Sequence, residues 1–385
     1  MKKTLTLLLA GALGLATFAG CSSDDAASSN TIKIGINYEL SGPVATYGQA
    51  SLDGIKMAME EINAAGGIKG KKIELKEYDN KSEPAEATTL ATKLMTSDKV
   101  VAVLGPATSG NFKATIPIAT KDKVPVISGS ATADDVTVDD KGVKEYAFRT
   151  CFNDSFQGNA MANFASKKLN KTKAVMIVDS SSDYSKGLAE NFKKTFTANG
   201  GIIVGEEAYV TKDTEFNPIL TRIKNQDFDV IYLPGYYNEA GKIIKQARAL
   251  QITAPVLGGD GFDSPVLLEQ AGASALNDVY FTNHYSSLDQ DPKVVKFIAD
   301  FKAKYNSEPN AFHALGYDTM KFLADAIGRA SAVDGESIKT ALAETKDFSA
   351  VTGTFSVDGN HNPVKAIVVI GLKDGQQATS EKIES

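Results

Sequence analysis

The sequence contains no tryptophan, only two cysteines and only three histidines in 385 residues. Each scarcity excludes something. His284, His313 and His361 form no HExxH or comparable metal spacing, none neighbours a candidate nucleophile in sequence, and no GxSxG elbow is present. GGIKGKK, residues 66–72, looks superficially like a phosphate loop but lacks the spacing and the Ser or Thr after the lysine. An enzyme is therefore not expected, and neither a cofactor nor a metal. Basic charge is also in deficit. Lys and Arg number 41 against 47 Asp and Glu, giving a net charge of -6, which argues against nucleic acid as a partner.

Long apolar runs are missing except at the start. MKK leads into LTLLLAGALGLATFAG and then Cys21. A basic start, a short apolar core and small residues at Ala19 and Gly20 make a secretion signal, and the core is too short for a span of roughly 20 apolar residues. Residues 1–20 are thus expected to be a signal peptide. FAGC resembles the lipobox of bacterial lipoproteins, which implies cleavage before Cys21 and a lipid on its thiol. Residues 21–30, ending in SSDDAASSN, are then a lipidated cysteine and a polar tether with nothing to bury. If Cys21 carries lipid, Cys151 has no intramolecular partner, and it reads as a buried spectator thiol rather than a nucleophile.

What is present is a regular alternation of strand and helix patterns. About 355 residues remain after the leader, a length that suits two domains, and 43% hydrophobic residues suffice for full cores. TIKIGIN predicts a strand, YELSGPVATYG a loop, and Ser51 to Ala65 a helix stopped by Gly66-Gly67. The strand KIELKEYD, a helix through Leu90 and Leu94, the strand VVAVLG, a helix from near Asn111 and the strand PVIS follow. After Arg149 the pattern restarts. AVMIVD, DVIYLPG and APVLGGD read as strands between helices near 184–199, 215–226 and 238–251. Further helices are expected near 292–305 and 311–330, then a last strand, KAIVVIGL. Continuously apolar strands alternating with helices define an α/β fold with parallel sheets covered on both faces.

Ligands of open parallel sheets bind beyond the carboxyl ends of the strands. The first half places YELSGPVATYG, GPATSGN and GSATA there; the second places DSSSDYSKG, GYYNEAG and GDGFDSP. Hydroxyls and backbone N–H groups face tyrosines and the carboxylate of Asp260, a combination that suits a zwitterion. Free N–H groups at a helix start hold a carboxylate without Lys or Arg. Ser109 and Thr132 add donors, Asp260 meets an ammonium, and tyrosine faces wall an apolar portion. The same residues have plainer uses. Ser109 is also a candidate helix cap, Tyr184 a packing residue, Asp260 a turn residue and Asp183 a solvated loop acid.

SGPVATYGQASLDGIKMAMEEINAAGGIKGKKIEL resembles the opening of the branched-chain amino acid-binding proteins of ABC transporters. LGPATSGN, PVISGSATAD, FRTCFNDSFQG, DYSKGLAE, YLPGYYNEAGKIIKQAR and GGDGFDSP continue the match in order, from Ile32 to about Leu372. Together they resemble the Leu/Ile/Val-binding subgroup of type I periplasmic binding proteins. The resemblance implies two doubly wound parallel-sheet lobes joined by three hinge crossovers, closing on a ligand in the cleft. Lobe 1 would comprise 31–150 and 284–356, and lobe 2 would comprise 151–283 and 357–385. By motif position it implies ligand-binding roles for Tyr47, Ser109, Ser130, Thr132, Tyr184, Tyr236 and Asp260. Which of the adjacent Tyr236 and Tyr237 faces the cleft is open. Some relatives carry tryptophan where Tyr47 stands, glutamate where Asp260 stands, or a disulfide next to the serine loop, which Thr108 removes.

The function so implied is that of an extracytoplasmic, membrane-anchored lipoprotein. It binds a free amino acid, with Leu, Ile or Val favoured, and delivers it to an ABC transporter permease. It is expected to work as a monomer with its membrane contact made by the lipid. The alternative is the same scaffold binding another amino acid, a small amide or an organic acid, or acting as ligand sensor for a membrane receptor.

Overall fold

A computed structural model describes residues 30–384; the expected signal segment, Cys21 and nearly all of the tether lie outside the described residues. The first sheet is built from β1 (Thr31–Tyr38), β2 (Lys72–Asp79), β3 (Ala102–Leu104), β4 (Val126–Ser128) and, after a small hairpin β5 (Val138–Asp139) and β6 (Gly142–Val143), β7 (Ala147–Arg149). Its order is β2-β1-β3-β4-β7, all parallel. Ile32, Ile34 and Ile36 of β1 are buried with the intervening Gly35, as a strand covered on both faces requires. Each such isoleucine contributes about 1.5–3 kcal/mol relative to an exposed one. Crossover helices α1 (Ala45–Ala64), α2 (Pro84–Thr96) and α3 (Ser109–Asp122) supply the cover.

The second half begins with α4 (Asp154–Asn163) and winds through β8 (Lys173–Asp179), α5 (Asp183–Ala198), β9 (Ile202–Tyr209), α6 (Asn217–Lys224), β10 (Val230–Tyr232), α7 (Tyr237–Ala249), β11 (Val256–Gly258), α8 (Pro265–Ala271) and β12 (Val279–Asn283). The sequence logic is clear in α5. Ser182 caps its start by accepting the Ser185 N–H, and Tyr184, Leu188, Ala189, Phe192 and Phe196 bury one face. The chain then returns to the first half through α9 (Pro292–Tyr305) and α10 (Ala311–Arg329), which packs along α1. Helix α11 (Gly335–Ala343) and a small sheet of β13 (Phe348–Ala350), β14 (Gly353–Val357) and β15 (Pro363–Val364) follow. Finally β16 (Ile367–Lys373) and β17 (Gln376–Ile383) join the second sheet, whose order is β17-β16-β12-β11-β10-β8-β9.

Several expectations need correction. The first helix begins at Ala45, not Ser51, so Tyr47 stands in a helical turn rather than a loop, and α3 begins at Ser109 rather than near Asn111. The second sheet is not wholly parallel, because β16 pairs antiparallel with β12 and β17 antiparallel with β16. Strand β17 lies at the sheet edge and is mostly exposed, so its sequence QQATSEKI carries no apolar signal.

Three chain segments pass between the halves, after β7, after β12 and before β16. They are tied to one another. Lys365 Nζ donates to Thr150 O at 3.2 Å and to Thr352 Oγ1, and burial pushes its pKa down to about 8. His284, just after β12, stacks on Phe152 of the first crossing with ring centroids 3.8 Å apart. Cys151, in the same crossing, is fully buried with its thiol toward Ala131 O, and burial pushes that thiol up to about 12. No helix among the described residues is long and apolar enough to cross a membrane.

Candidate functional site

The two sheets point their carboxyl ends at one another across a cleft, which is closed. Thr46 Oγ1 meets Ser264 Oγ at 3.0 Å, Tyr237 Oη donates to Pro43 O at 3.1 Å, and Lys113 pairs with Asp183 at 2.6 Å. Asp183, read as a solvated loop acid, is thus half of an ion pair across the cleft. Lys113 and Lys186 hold its carboxyl below the usual range.

Between the halves lies a narrow cavity, lined from one side by Tyr47, Ser109, Ser130 and Phe312 and from the other by Tyr184, Tyr236 and Asp260. Six of the seven residues expected at the site therefore meet there. The seventh, Thr132, is buried beyond the wall. A larger open groove runs between α1, α9 and α10. Four of its charged groups are already paired, Lys321 with Glu61 and Lys296 with Asp300, and convergent polar groups from both halves single out the smaller cavity.

The first wall is made of short groups held by backbone. Ser109 opens α3, but it does not cap that helix; its Oγ accepts the Ala133 N–H at 3.0 Å, leaving its own O–H to donate. Ser130 Oγ donates to Ala107 O at 2.9 Å. Beneath them Arg149, fully buried, donates Nη1 to the carbonyls of Ala131, Thr132 and Ala133 and Nε to Asn362 Oδ1. This side chain fixes the turn that carries Thr132, whose carbonyl also accepts the Asp154 N–H at 2.8 Å and whose buried hydroxyl lies against the Asp154 carboxyl.

One expectation about this wall fails. The N–H groups of the β3–α3 loop are not all free, since those of Ala107 and Thr108 donate to the buried carboxylate of Glu39 at 2.9 and 3.1 Å. What remains for an anion is the first turn of α3, where the N–H groups of Ser109, Gly110 and Asn111 have no acceptor within the helix. Gly105 makes this loop possible. It has φ of +88°, and a Cβ there would stand 2.4 Å from Asn37 O.

Aromatic rings form the rest of the enclosure. Tyr47 stacks on Phe312 at 4.2 Å, meets Tyr236 edge-on at 5.6 Å, and donates its Oη across the cleft to Gly261 O at 2.5 Å. Tyr184 lies parallel to Tyr236 at 5.1 Å. Tyr236, not Tyr237, lines the cavity; Tyr237 is spent on Pro43. Burial raises the phenols of Tyr47 and Tyr184 well above the ordinary value, so both are neutral donors.

The second wall holds the acids. Asp260 Oδ1 accepts from Tyr184 Oη at 2.7 Å, and Oδ2 lies 3.1 Å from His284 Nε2. The Asp260 N–H donates to Gln157 Oε1 at 2.8 Å, and Gln157 also receives Thr282 Oγ1. Asp154, at the start of α4, is fully buried, and its Oδ2 has no partner among the described residues. Burial first, and then the charge of Asp260, push the Asp154 carboxyl well above the usual range, while the nearby Thr132 hydroxyl opposes the rise. Sequence reasoning missed Asp154, Phe312, His284 and Glu39. Asp154 and Glu39 did lie inside stretches that were singled out, FRTCFNDSFQG and YELSGPVATYG.

Two open α/β halves, three tied crossings and an enclosed polar-aromatic cavity between them define a type I binding-protein fold. The model of the periplasmic binding protein family matches residues 31–377, and the chain belongs to that family. A Leu/Ile/Val-binding protein of Rhizobium johnstonii is 34% identical over 91% of this chain and 91% of its own length. Among solved structures, the branched-chain amino acid transporter substrate-binding protein LivJ of Streptococcus pneumoniae, in complex with isoleucine, superposes with a TM-score of 0.88. It is 46% identical, covering 92% of this chain and 100% of that one. A leucine-binding protein LivK of Thermotoga maritima gives a TM-score of 0.86 at 35% identity, covering 92% and 99%.

Proposed function

We propose that the protein captures a free aliphatic amino acid, one of Leu, Ile and Val, by closing two lobes upon it and hands it to the permease of an ABC importer. The lobes in this reading are 31–150 with 284–356 and 151–283 with 357–385, with the short stretch 357–364 held to the first lobe by the β14–β15 pairing and the Arg149–Asn362 bond. The observation that carries it is the pair of buried carboxyls, Asp260 on the cavity wall and Asp154 behind it, each felt by the other, with the Thr132 hydroxyl against Asp154. Burying such groups unpaired is costly, and an α-ammonium brings three donors and a positive charge to them. The Ser109 hydroxyl and the first turn of α3 take the carboxylate, Ser130 shapes that turn, and Tyr47, Tyr236 and Phe312 wrap the side chain. The names of the relatives, which include leucine- and isoleucine-binding proteins, support the same choice.

The ligand touches both lobes only when they are closed, so it shifts the open–closed equilibrium toward closure. Cys21 carries the lipid that keeps the soluble body at the membrane, in monomeric form and within reach of the permease. Thermal melting of residues 22–385 against a panel of free amino acids tests the reading. A ligand at about 100 times its Kd adds about 2.7 kcal/mol to stability, so Leu, Ile or Val should raise Tm selectively. A folded protein, stripped of carried-over ligand and silent to all three, overturns it.

A further inference from the structure

Glu39 follows β1 and is fully buried. Its Oε2 accepts the Ala107 N–H at 2.9 Å. Its Oε1 accepts the Thr108 N–H at 3.1 Å, the Thr108 hydroxyl at 2.8 Å and the Asn111 side-chain amide at 2.8 Å. All four donors are neutral, and all belong to the segment 107–111 that presents Ser109. A buried carboxylate is costly unless its lone pairs are filled, and here both oxygens are filled from a single loop. The carboxylate and the loop therefore hold each other in one arrangement. The backbone of Glu39 is itself pinned, because α1 runs so close over it that a Cβ at Gly48 would stand 2.2 Å from the Glu39 carbonyl oxygen.

We infer that Glu39 is a positioning residue for ligand carboxylate recognition, an internal anion that orders the 107–111 loop before any ligand enters. The inference rests on the amino-acid reading above. Two consequences follow. The N–H groups of Ala107 and Thr108 are withdrawn from the ligand, so its carboxylate is confined to the Ser109 hydroxyl and the first turn of α3. The ordering of that turn is also completed on folding rather than on binding, which is preorganisation of the receiving groups. Glu39 touches no ligand in this arrangement and acts only through the loop.

The test compares two ligands that differ only in the group the loop receives: the tightest binder among Leu, Ile and Val, and the amino alcohol made by reducing its carboxylate. Kd for both is measured by calorimetry on wild type, E39Q and N111L, with Tm recorded for each. Gln at 39 must turn a donor toward a donor, since N–H groups approach both oxygens. N111L removes one of the four bonds while keeping the number and branching of side-chain heavy atoms, and serves if E39Q does not fold. The wild type should prefer the amino acid strongly. E39Q should shrink that preference about tenfold or more, which is one factor of ten per 1.4 kcal/mol, and N111L should shrink it less, while Kd for the amino alcohol stays nearly constant. Equal losses for both ligands, or no loss for either, would assign Glu39 a purely structural role and overturn the inference alone. A wild type that binds none of the three amino acids overturns the amino-acid reading and this inference with it.

Discussion

The two walls of the cleft solve opposite problems by different means. The first wall, which in the proposed reading receives the ligand carboxylate, presents no cationic side chain to the cavity. It uses a serine hydroxyl, a helix first turn and a loop tied at its back by Glu39 and Arg149. The second wall, which in that reading receives the ammonium, is built on carboxyl groups. Asp260 is held by Tyr184 and His284, and Asp154 is buried beneath with one oxygen free. Dipoles spread over several groups tolerate the loss of any one of them, whereas a single carboxylate does not. The contrast ranks the substitutions.

Asp260→Ala should have the largest effect, about 2–5 kcal/mol of ligand binding, because the ammonium is left buried beside an uncompensated site; calorimetry reads it directly. A loss below about 1 kcal/mol would put the ammonium elsewhere. Asp154→Asn comes next, with an expected loss of about 1.5–3 kcal/mol for one charged hydrogen bond, and it should behave oppositely on the empty protein. The folded-state carboxyl is raised, so its stabilising contribution is fully present below the unfolded pKa near 3.9 and is lost as pH rises through the folded value. At neutral pH the empty Asn variant should therefore melt above wild type. The wild type should take up ligand with release of a proton and bind more weakly as pH falls, and Asn should flatten that slope. Heats of binding in buffers of different ionisation enthalpy measure this.

Ser109→Ala should lose about 0.5–1.5 kcal/mol, since first-turn N–H groups remain. A loss larger than for Asp260 would invert the contrast between the walls. Tyr47→Phe keeps the stack on Phe312 and removes only the bond to Gly261 O. It should weaken binding by about 1 kcal/mol or less, and scattering should find the empty form more open than wild type.

How far the sequence could be read follows from where each partner lies. β3 and β4 are short and apolar and β1 alternates its isoleucines, so these strands declare themselves locally. So do Ser109, Tyr184 and Asp260, each just past a strand end. β9 and β17 are edge strands with much of their surface in water, so nothing in their sequences marks them. Tyr47 was assigned to a loop because Gly42-Pro43 ends one pattern and the apolar spacing of α1 becomes visible only later. Asp154, His284 and Glu39 act through partners far along the chain, such as Asn111, 72 positions after Glu39. An isolated acid or histidine has no local signature when its meaning lies in a contact that only the folded chain creates. The same holds for Phe312, one more apolar residue on the amphipathic α10 until Tyr47 is laid against it.

The burial of Cys151 gives the molecule a clock. Its thiol sits in a crossing segment, out of solvent and nearly without thiolate, so a thiol reagent reaches it only in the moments when the crossings part. With Cys21 absent it is the sole cysteine. Its labelling half-life in the empty and loaded protein therefore times how often the hinge breathes, with no dye and no engineered position.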